Sequence, residues 1–265
     1  MEFESSSLLG ILLITLGVSL LGLLGGFFLI WKESVVQRWA RYLISFAAGS
    51  ILGATFLNLL PEAFEHSDQD GGRMVILMML IGILVFFILE KLLVWHHHSH
   101  EDEVEGETVI HNHKMASARP LIIIGDALHN LLDGAIIAIA FMADPSLGFI
   151  SALAVIAHEI PQEIGDFSIL IHSGMSKKKV IWWNFIGAAI SPLGALIVYF
   201  SSEFFTDIEL PLLGFVIGNF IYIALADLVP TIQHERKISR SLVQLVCMLV
   251  GVGIFWQLGV LLPHK

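Results

Sequence analysis

Long apolar stretches alternate with short polar connections along the whole chain. The eight stretches cover about residues 8–31, 42–63, 74–95, 120–143, 147–173, 180–202, 210–231 and 241–262. Each is close to the roughly 20 residues that a helix needs to cross a hydrocarbon core about 30 Å thick. A β-barrel would instead need short segments of alternating polarity. The pattern predicts an all-α integral membrane protein with eight transmembrane helices, numbered here as spans 1 to 8.

Composition and charge extend this prediction to topology. Of the 265 residues, 56% are hydrophobic and 14% are charged, so we expect one transmembrane domain over residues 1–265. Of the 14 Lys and Arg residues, all but Arg73 and Lys265 lie at the connections after spans 1, 3, 5 and 7. The positive-inside rule makes that face cytoplasmic and puts both termini outside. The compact acidic N-terminus and the short loops favour a prokaryotic inner (plasma) membrane.

Small residues predict where the helices approach each other closely. Three pairs of glycines have the four-residue spacing that lets two helix backbones meet: Gly22/Gly26, Gly49/Gly53 and Gly214/Gly218. The single cysteine, Cys247, excludes a disulfide framework and a thiolate metal site.

Polar residues form a stripe along span 4, within "GDALHNLLDGAIIAIAF". At about 100° per residue, four of them fall within about 100° of one helix face. They are Asp126, His129, Asn130 and Asp133.

Span 5 carries a second stripe in "HEIPQEIGDF". Five polar side chains share less than half of the helix circumference: His158, Glu159, Gln162, Glu163 and Asp166. Pro161 lacks a backbone N–H and leaves the carbonyl of Ala157 without its helical partner, so we expect a break in the helix here.

Burying these stripes in a bilayer is unfavourable unless something positive accompanies them. An ionisable side chain at the membrane centre costs about 2.5–3.5 kcal/mol, so the five carboxylates together could cost on the order of 10 kcal/mol. Spans 4 and 5 contain no Lys or Arg. Protons or metal cations are therefore the candidates, although hydrogen bonding across a helix interface is the simpler alternative. His nitrogen with Asp and Glu oxygen suits Zn²⁺, Fe²⁺ and Mn²⁺.

The connection between spans 3 and 4, at about residues 96–118, is rich in histidine and acidic residues. We expect a flexible cytoplasmic segment that either binds departing metal weakly or is a solvated tether. Its histidines are His96, His97, His98, His100, His111 and His113. In span 2, Asn58 stands before "LLPEA", where either a role on the metal route or a helix contact would fit.

The two stripes resemble the paired metal-binding signatures of a known family. "HNLLDG" (129–134) and "HEIPQEIGDF" (158–167) are similar to motifs in the fourth and fifth helices of the ZIP (Zrt/Irt-like) divalent-metal transporters. Further similar stretches are "AAGSILGATFLNLLPEAFE", "FFILEKLLVWHHHSHEDE" and "GNFIYIALADLVP". The resemblance covers nearly the whole chain.

The resemblance implies a 3+2+3 helix arrangement with helices 4 and 5 at the centre, metal movement toward the cytoplasm and an elevator-like motion. It places a primary site at His129, Asp133, His158 and Gln162 and a secondary site at Asn130, Asp133, Glu159 and Gln162. Two features depart from the family pattern. Many members have His or Glu where this chain has Gln162, and some add a helix-6 carboxylate where it offers only Asn184 and Ser191. Asp126, Glu163 and Asp166 are then candidates for additional metal or pathway residues.

The sequence predicts a transporter that moves divalent transition-metal ions into the cytoplasm between spans 4 and 5. Zn²⁺ is the first choice, with Fe²⁺, Mn²⁺, Co²⁺ and Cd²⁺ as alternatives. We expect no enzymatic activity, no cofactor and no nucleic-acid partner. Membrane lipid surrounds the chain, and a homodimer is one of the oligomeric states left open. Since protons compete for the same ligands, uptake should fall as the outside pH drops.

Two other functions compete with metal transport. "HEIPQ" is similar to the H-E-x-x-H of zinc metalloproteases, but position 162 is Gln and Pro161 stands within the motif. A proton-coupled carrier of an organic solute could use the carboxylates as relays. It would have no need for His129 and His158 at chelating distance from Asp133 and Gln162.

Overall fold

The computed structural model describes residues 5–65, 69–98, 109–201, 209–233, 235 and 237–262. Within these ranges helix is the only regular secondary structure. The α-helices are Ser5–Ala54, Leu60–Glu65, Gln69–His98, Val109–Ala143, Pro145–His172, Lys177–Ala188, Ser191–Phe200, Glu209–Tyr222, Val229–Gln233 and Ile238–Leu261. Two π-helical segments, Thr55–Leu59 and Ile223–Leu228, lie inside spans 2 and 7.

Seven helices in the described ranges are long and apolar enough to cross a membrane. They are Leu8–Val36, Arg38–Glu65, Asp70–Ile88, Ile122–Ala143, Lys177–Phe200, Pro211–Gln233 and Ile238–Leu261, which correspond to spans 1 to 4 and 6 to 8. Span 5, Pro145–His172, has 28 residues but is not among them, because its polar stripe interrupts the apolar sequence. An all-helical membrane protein is therefore confirmed, while the count of eight spans and the 3+2+3 arrangement stay predictions.

Two helices differ locally from the sequence prediction. Span 5 runs unbroken through the buried Pro161, so the expected break is wrong. Proline removes one hydrogen bond, but neighbouring helices in a membrane protein can hold the backbone helical on both sides of it. Span 6 is the one that is divided. Its helix stops at Ala188 and begins again at Ser191, with Pro192 in the first turn of the second segment.

Spans 2 and 7 make the close backbone contacts that the spacing of their glycine pairs predicts. In span 1 the predicted pair, Gly22 and Gly26, instead faces the side chains of Glu159 and Phe167, and the backbone contact is made by Gly25. In span 1, a Cβ built on Gly25 would lie 2.4 Å from the carbonyl oxygen of Ile160 in span 5. In span 2, a Cβ on Gly49 would lie 2.0 Å from the carbonyl oxygen of Met248 in span 8. In span 7, a Cβ on Gly218 would lie 2.1 Å from the carbonyl oxygen of Met79 in span 3. These helix pairs are therefore held backbone against backbone.

Spans 4 and 5 are joined at both ends. Asp144 is the single residue between their helices, and its Oδ1 accepts a hydrogen bond of 2.6 Å from the N–H of Ser146. At the opposite end, Arg119 donates to Oγ of Ser173 at 2.9 Å and also to the Ser173 carbonyl oxygen. The chain then leaves span 5 through Gly174, whose φ of 88° favours glycine. The two helices form a closed hairpin that carries both polar stripes.

Apolar side chains cover the outward faces of the peripheral helices. Spans 3 and 8 are mostly exposed, and span 8 presents Leu242, Val246 and Leu249 on its open surface. Spans 2 and 7 are more than half buried. An exposed apolar helix face suits contact with lipid tails.

Candidate metal centre

Four side chains from the two predicted stripes converge between spans 4 and 5. Span 4 contributes His129 and Asp133, and span 5 contributes His158 and Glu159. Each residue offers one ligand atom, and these four atoms all lie within 4.8 Å of one another. Within the described ranges, no other group of three or more His, Cys, Asp or Glu residues meets this condition.

The imidazole of His129 faces all three of its partners. Its Nε2 lies 3.2 Å from Nε2 of His158, 3.7 Å from Oδ2 of Asp133 and 3.7 Å from Oε1 of Glu159. Nε2 of His158 lies 3.3 Å from the same Oδ2 of Asp133. The two rings meet edge to face, at an interplanar angle of 87°. Two nitrogens and two carboxylate oxygens therefore surround one small space.

The orientation of His158 is set by the helix that carries it. Its Nδ1 lies 3.1 Å from the carbonyl oxygen of Ala154, one turn earlier in span 5. A carbonyl oxygen only accepts hydrogen bonds, so Nδ1 carries the proton and Nε2 keeps its lone pair. A backbone carbonyl that fixes the tautomer in this way is a frequent partner of metal-binding histidines.

The carboxylates of the cluster are buried without hydrogen-bond partners. Asp133 and Glu159 are each 1% exposed, and none of their four side-chain oxygens has a hydrogen bond. Span 1 allows Glu159 to sit here, since a Cβ on Gly22 would be only 3.1 Å from its Oε2. Burying a carboxylate without a partner costs free energy, and a cation bound between these oxygens would offset that cost.

The distances fit a zinc ion in tetrahedral coordination. Zinc bonds of about 2.0–2.1 Å at tetrahedral angles place neighbouring ligand atoms about 3.3 Å apart. The closest pairs in the cluster, at 3.2 and 3.3 Å, match this value, and the 3.7 Å pairs need only a small movement. The charge also fits, since two carboxylates and two neutral imidazoles balance one divalent cation. The four residues can therefore hold such an ion.

An aromatic pair outside the hairpin covers one side of the cluster. Phe86 of span 3 is 7% exposed, and its ring packs edge-on against His129 with centroids 5.7 Å apart. It also contacts Tyr222 of span 7, at a centroid distance of 6.2 Å. Sequence reasoning missed both residues because a lone aromatic in an apolar span carries no polar signal.

Asn130 and Asp126 are hydrogen-bonded to each other. The side-chain amide of Asn130 donates to Oδ1 of Asp126 at 2.9 Å and to the Asp126 carbonyl oxygen at 3.1 Å. The amide oxygen of Asn130 is thus the atom left to face a ligand. Gln162 is half-buried, one turn after His158. Asn130 directly follows His129, and Gln162 lies three residues after Glu159. The role of both residues as ligands stays a prediction.

Asn58 lies at a contact between spans 2 and 8. Its amide donates to the carbonyl oxygens of Gly53 and Phe255, at 3.3 and 3.1 Å. Of the two roles expected for Asn58, this geometry fits the helix contact. Asn219 of span 7 was not singled out by the sequence, yet it is fully buried and both of its side-chain polar atoms lack hydrogen bonds.

The histidine-rich connection is only partly covered by the structure. The helix of span 3 continues to His98 and that of span 4 starts at Val109, so helical backbone extends into the segment expected to be flexible. His100 lies outside the described residues. The backbone of the remaining loop histidines is helical, and their side chains lie outside what is described: His96, His97, His98, His111 and His113.

Fold and cluster together define an integral membrane protein that buries metal-ligand side chains between two joined helices. The model of the ZIP zinc transporter family matches residues 5–120 and 94–259, so this chain belongs to that family. Members of this family are transporters and not enzymes.

Curated relatives are similar to about half of the chain. Zinc transporter foi of Drosophila melanogaster is 41% identical over 137 residues, which are 51% of this chain and 19% of that protein. Human zinc transporter ZIP6 is 32% identical over 152 residues, covering 55% and 20%. Zinc transporter zipt-7.1 of Caenorhabditis briggsae is 34% identical over 151 residues, covering 51% and 38%. The matched segment thus spans about a fifth of the first two relatives. These are animal proteins, so they lend no support to the expected prokaryotic membrane.

Proposed function

We propose that this protein carries divalent transition-metal ions, zinc first, across the membrane through the four-residue centre of His129, Asp133, His158 and Glu159. The observation that carries the proposal is the set of four buried carboxylate oxygens without hydrogen-bond partners, beside imidazole nitrogens at ligand spacing. Relatives described as zinc transporters support the same choice of ion.

The resemblance to ZIP transporters implies movement of metal toward the cytoplasm, and the distribution of basic residues predicts which face of the protein is cytoplasmic. The connections after spans 1, 3, 5 and 7 carry nearly all Lys and Arg, so they face the cytoplasm and both termini face outward. The start of span 4 and the end of span 5 therefore both lie at the cytoplasmic face. An ion taken up from outside binds at the four-residue centre and leaves toward these two ends.

Neutral amides next to the centre favour release over storage. The amide oxygens of Asn130 and Gln162 extend the ligand set, in a primary site with His129, Asp133 and His158 and a secondary site with Asp133 and Glu159. A neutral oxygen binds a divalent cation more weakly than a carboxylate does. A transporter needs this moderate affinity, because an ion held too tightly cannot leave.

The rival functions fit the structure less well. A metalloprotease requires a second histidine four residues after the first, and Gln162 occupies that position. A carrier of organic solutes gives no reason for two histidines and two carboxylates to meet at ligand spacing.

Uptake of zinc by proteoliposomes containing the whole chain tests the proposal. Glu159→Gln keeps the shape of the side chain but removes one ligand charge, so zinc uptake should fall at least about tenfold. Uptake by the wild type should also fall when the outside pH is lowered from about 7.5 to about 5.5, since protons compete for the ligands.

The matched control makes the same chemical change on the exposed Glu33, near the end of span 1. Glu33→Gln should transport zinc within about twofold of the wild type. Equal uptake by Glu159→Gln and the wild type would contradict a metal site at the four-residue centre.

A further inference from the structure

A second set of carboxylates lies on the cytoplasmic side of the four-residue centre. Asp126 precedes Asp133 by about two turns of span 4, while Glu163 and Asp166 follow Glu159 in span 5. The two helices run in opposite directions, so all three residues are displaced toward the same face of the membrane. We call Asp126, Glu163 and Asp166 the inner carboxylates.

The inner carboxylates interact with one another, and no Lys, Arg or His of the described ranges forms a salt bridge with them. Glu163 lies close enough to Asp126, Asp166 and Glu159 to interact with them electrostatically. Asp166 interacts in the same way with Asp126 and with Asp227 of span 7. Each of these groups is an acid, so their mutual interactions are repulsive.

Glu163 is the member whose burial is hardest to explain without a ligand. It is 1% exposed, and neither of its carboxylate oxygens has a hydrogen bond. Removing a charged group from water without a partner costs several kcal/mol. A structural role would be served by an apolar residue at lower cost, whereas a passing cation needs this negative charge.

Span 6 makes room for the carboxylate of Asp126. A Cβ on Gly187 would lie 2.4 Å from Oδ2 of Asp126, which is much closer than atoms can approach. Oδ1 of the same carboxylate is held by the amide of Asn130 at 2.9 Å. Asn130, which follows His129 in the chain, thus holds one oxygen of Asp126, and the glycine at 187 leaves room for the other.

The inner carboxylates do not enclose a bare ion. Among the described residues, only the four-residue centre brings three or more ligand atoms within 4.8 Å of one another. A cation between the inner carboxylates must therefore keep some of its water. Carboxylate and water are weaker ligands for zinc than a set that includes two imidazoles, so affinity falls toward the cytoplasm.

We propose that Glu163, together with Asp126 and Asp166, binds a partly hydrated divalent cation after it leaves the four-residue centre. This inference rests on the proposed transport function and adds an exit step to it. The site speeds release by offering the departing ion negative charge at the point where it would otherwise cross an apolar region.

The test compares zinc binding with zinc uptake in Glu163→Gln, using the full chain in proteoliposomes and radioactive zinc. Equilibrium binding at the four-residue centre should keep its Kd within about twofold, while maximal uptake should fall about tenfold. The melting temperature of the ion-free protein should not decrease, because the substitution removes an unpaired buried charge.

A second variant displaces a ligand without removing any charge. Gly187→Ala puts a methyl group 2.4 Å from Oδ2 of Asp126, so this oxygen must move away and maximal uptake should fall, as in Glu163→Gln. Glu33→Gln is the matched control and should behave as the wild type in both measurements.

Three results would overturn the inference. Glu163→Gln could transport zinc at the wild-type rate, could lose affinity at the four-residue centre, or could melt at a lower temperature together with lost uptake, which would indicate a structural role. If the wild type and Glu33→Gln take up no zinc, the proposed function itself fails. That result is distinct from a defect confined to Glu163→Gln.

Discussion

Span 4 meets its neighbours on two faces that are built in opposite ways. Toward span 6 the contact is backbone against backbone: a Cβ on Gly134 would lie 1.8 Å from the carbonyl oxygen of Ser191, and one on Gly194 would lie 1.9 Å from that of Leu131. Toward span 5 the contact is polar, and Asp133 has two oxygens without hydrogen bonds. The glycine contacts with span 6 can hold span 4 in place. The face toward span 5 can therefore carry ligand side chains that do not stabilise the ion-free fold.

The largest expected effect comes from breaking the glycine face. Gly134→Ala forces the added methyl group into the backbone of span 6, so the protein should lose about 2–3 kcal/mol of stability or fail to fold. Thermal melting followed by size-exclusion chromatography measures this. Gly17→Ala is the control, since a Cβ there meets nothing within 4 Å. Similar melting of the two variants would show that the close contact is not needed.

A smaller effect should separate ligand binding from folding at the polar face. Zinc at about 100 times its Kd should stabilise the wild type by about 2.7 kcal/mol, because it binds only the folded state. Asp133→Asn should lose most of this gain, whereas its ion-free stability should equal or exceed that of the wild type. If ion-free Asp133→Asn melts well below the wild type, the carboxylate has a structural partner instead.

How far the sequence leads can be judged from particular residues. Helical periodicity predicts that His129, Asp133, His158 and Glu159 face a common interior, because the position of a side chain around a helix depends only on its spacing. It does not predict that Asn130 binds Asp126 or that Phe86 packs on His129, since both depend on rotamers and on how distant helices pack. Pro161 misleads for the same reason, as neighbouring helices decide whether a proline breaks a helix.

The smallest effect is expected at Glu235, which lies between spans 7 and 8 and pairs with arginines at the ends of spans 2 and 8. Glu235 accepts from the N–H of Lys237 at 3.1 Å and pairs with Arg240 at 3.5 Å and with Arg41. The Lys237 N–H and these two cations lower the pKa of Glu235 from its ordinary value of 4.5. The carboxylate therefore stabilises the fold above about pH 4.5, and this contribution is lost as the pH falls through the lowered pKa.

Glu235→Gln should accordingly lower the melting temperature slightly at pH 7 and leave it unchanged in strong acid. Melting curves of both proteins across this pH range measure the difference. A gap that persists at about pH 2 would mean that the carboxylate charge is not its source.

The double attachment of spans 4 and 5 has a mechanical consequence. One residue, Asp144, connects them at one end, and Arg119 clamps Ser173 at the other. Separating spans 4 and 5 would require bending the chain at Asp144 or breaking the contact between Arg119 and Ser173, so the two helices are expected to keep their relative positions. Access to the four-residue centre would then change at its contacts with other helices, where Phe86 of span 3 packs on His129 and on Tyr222 of span 7.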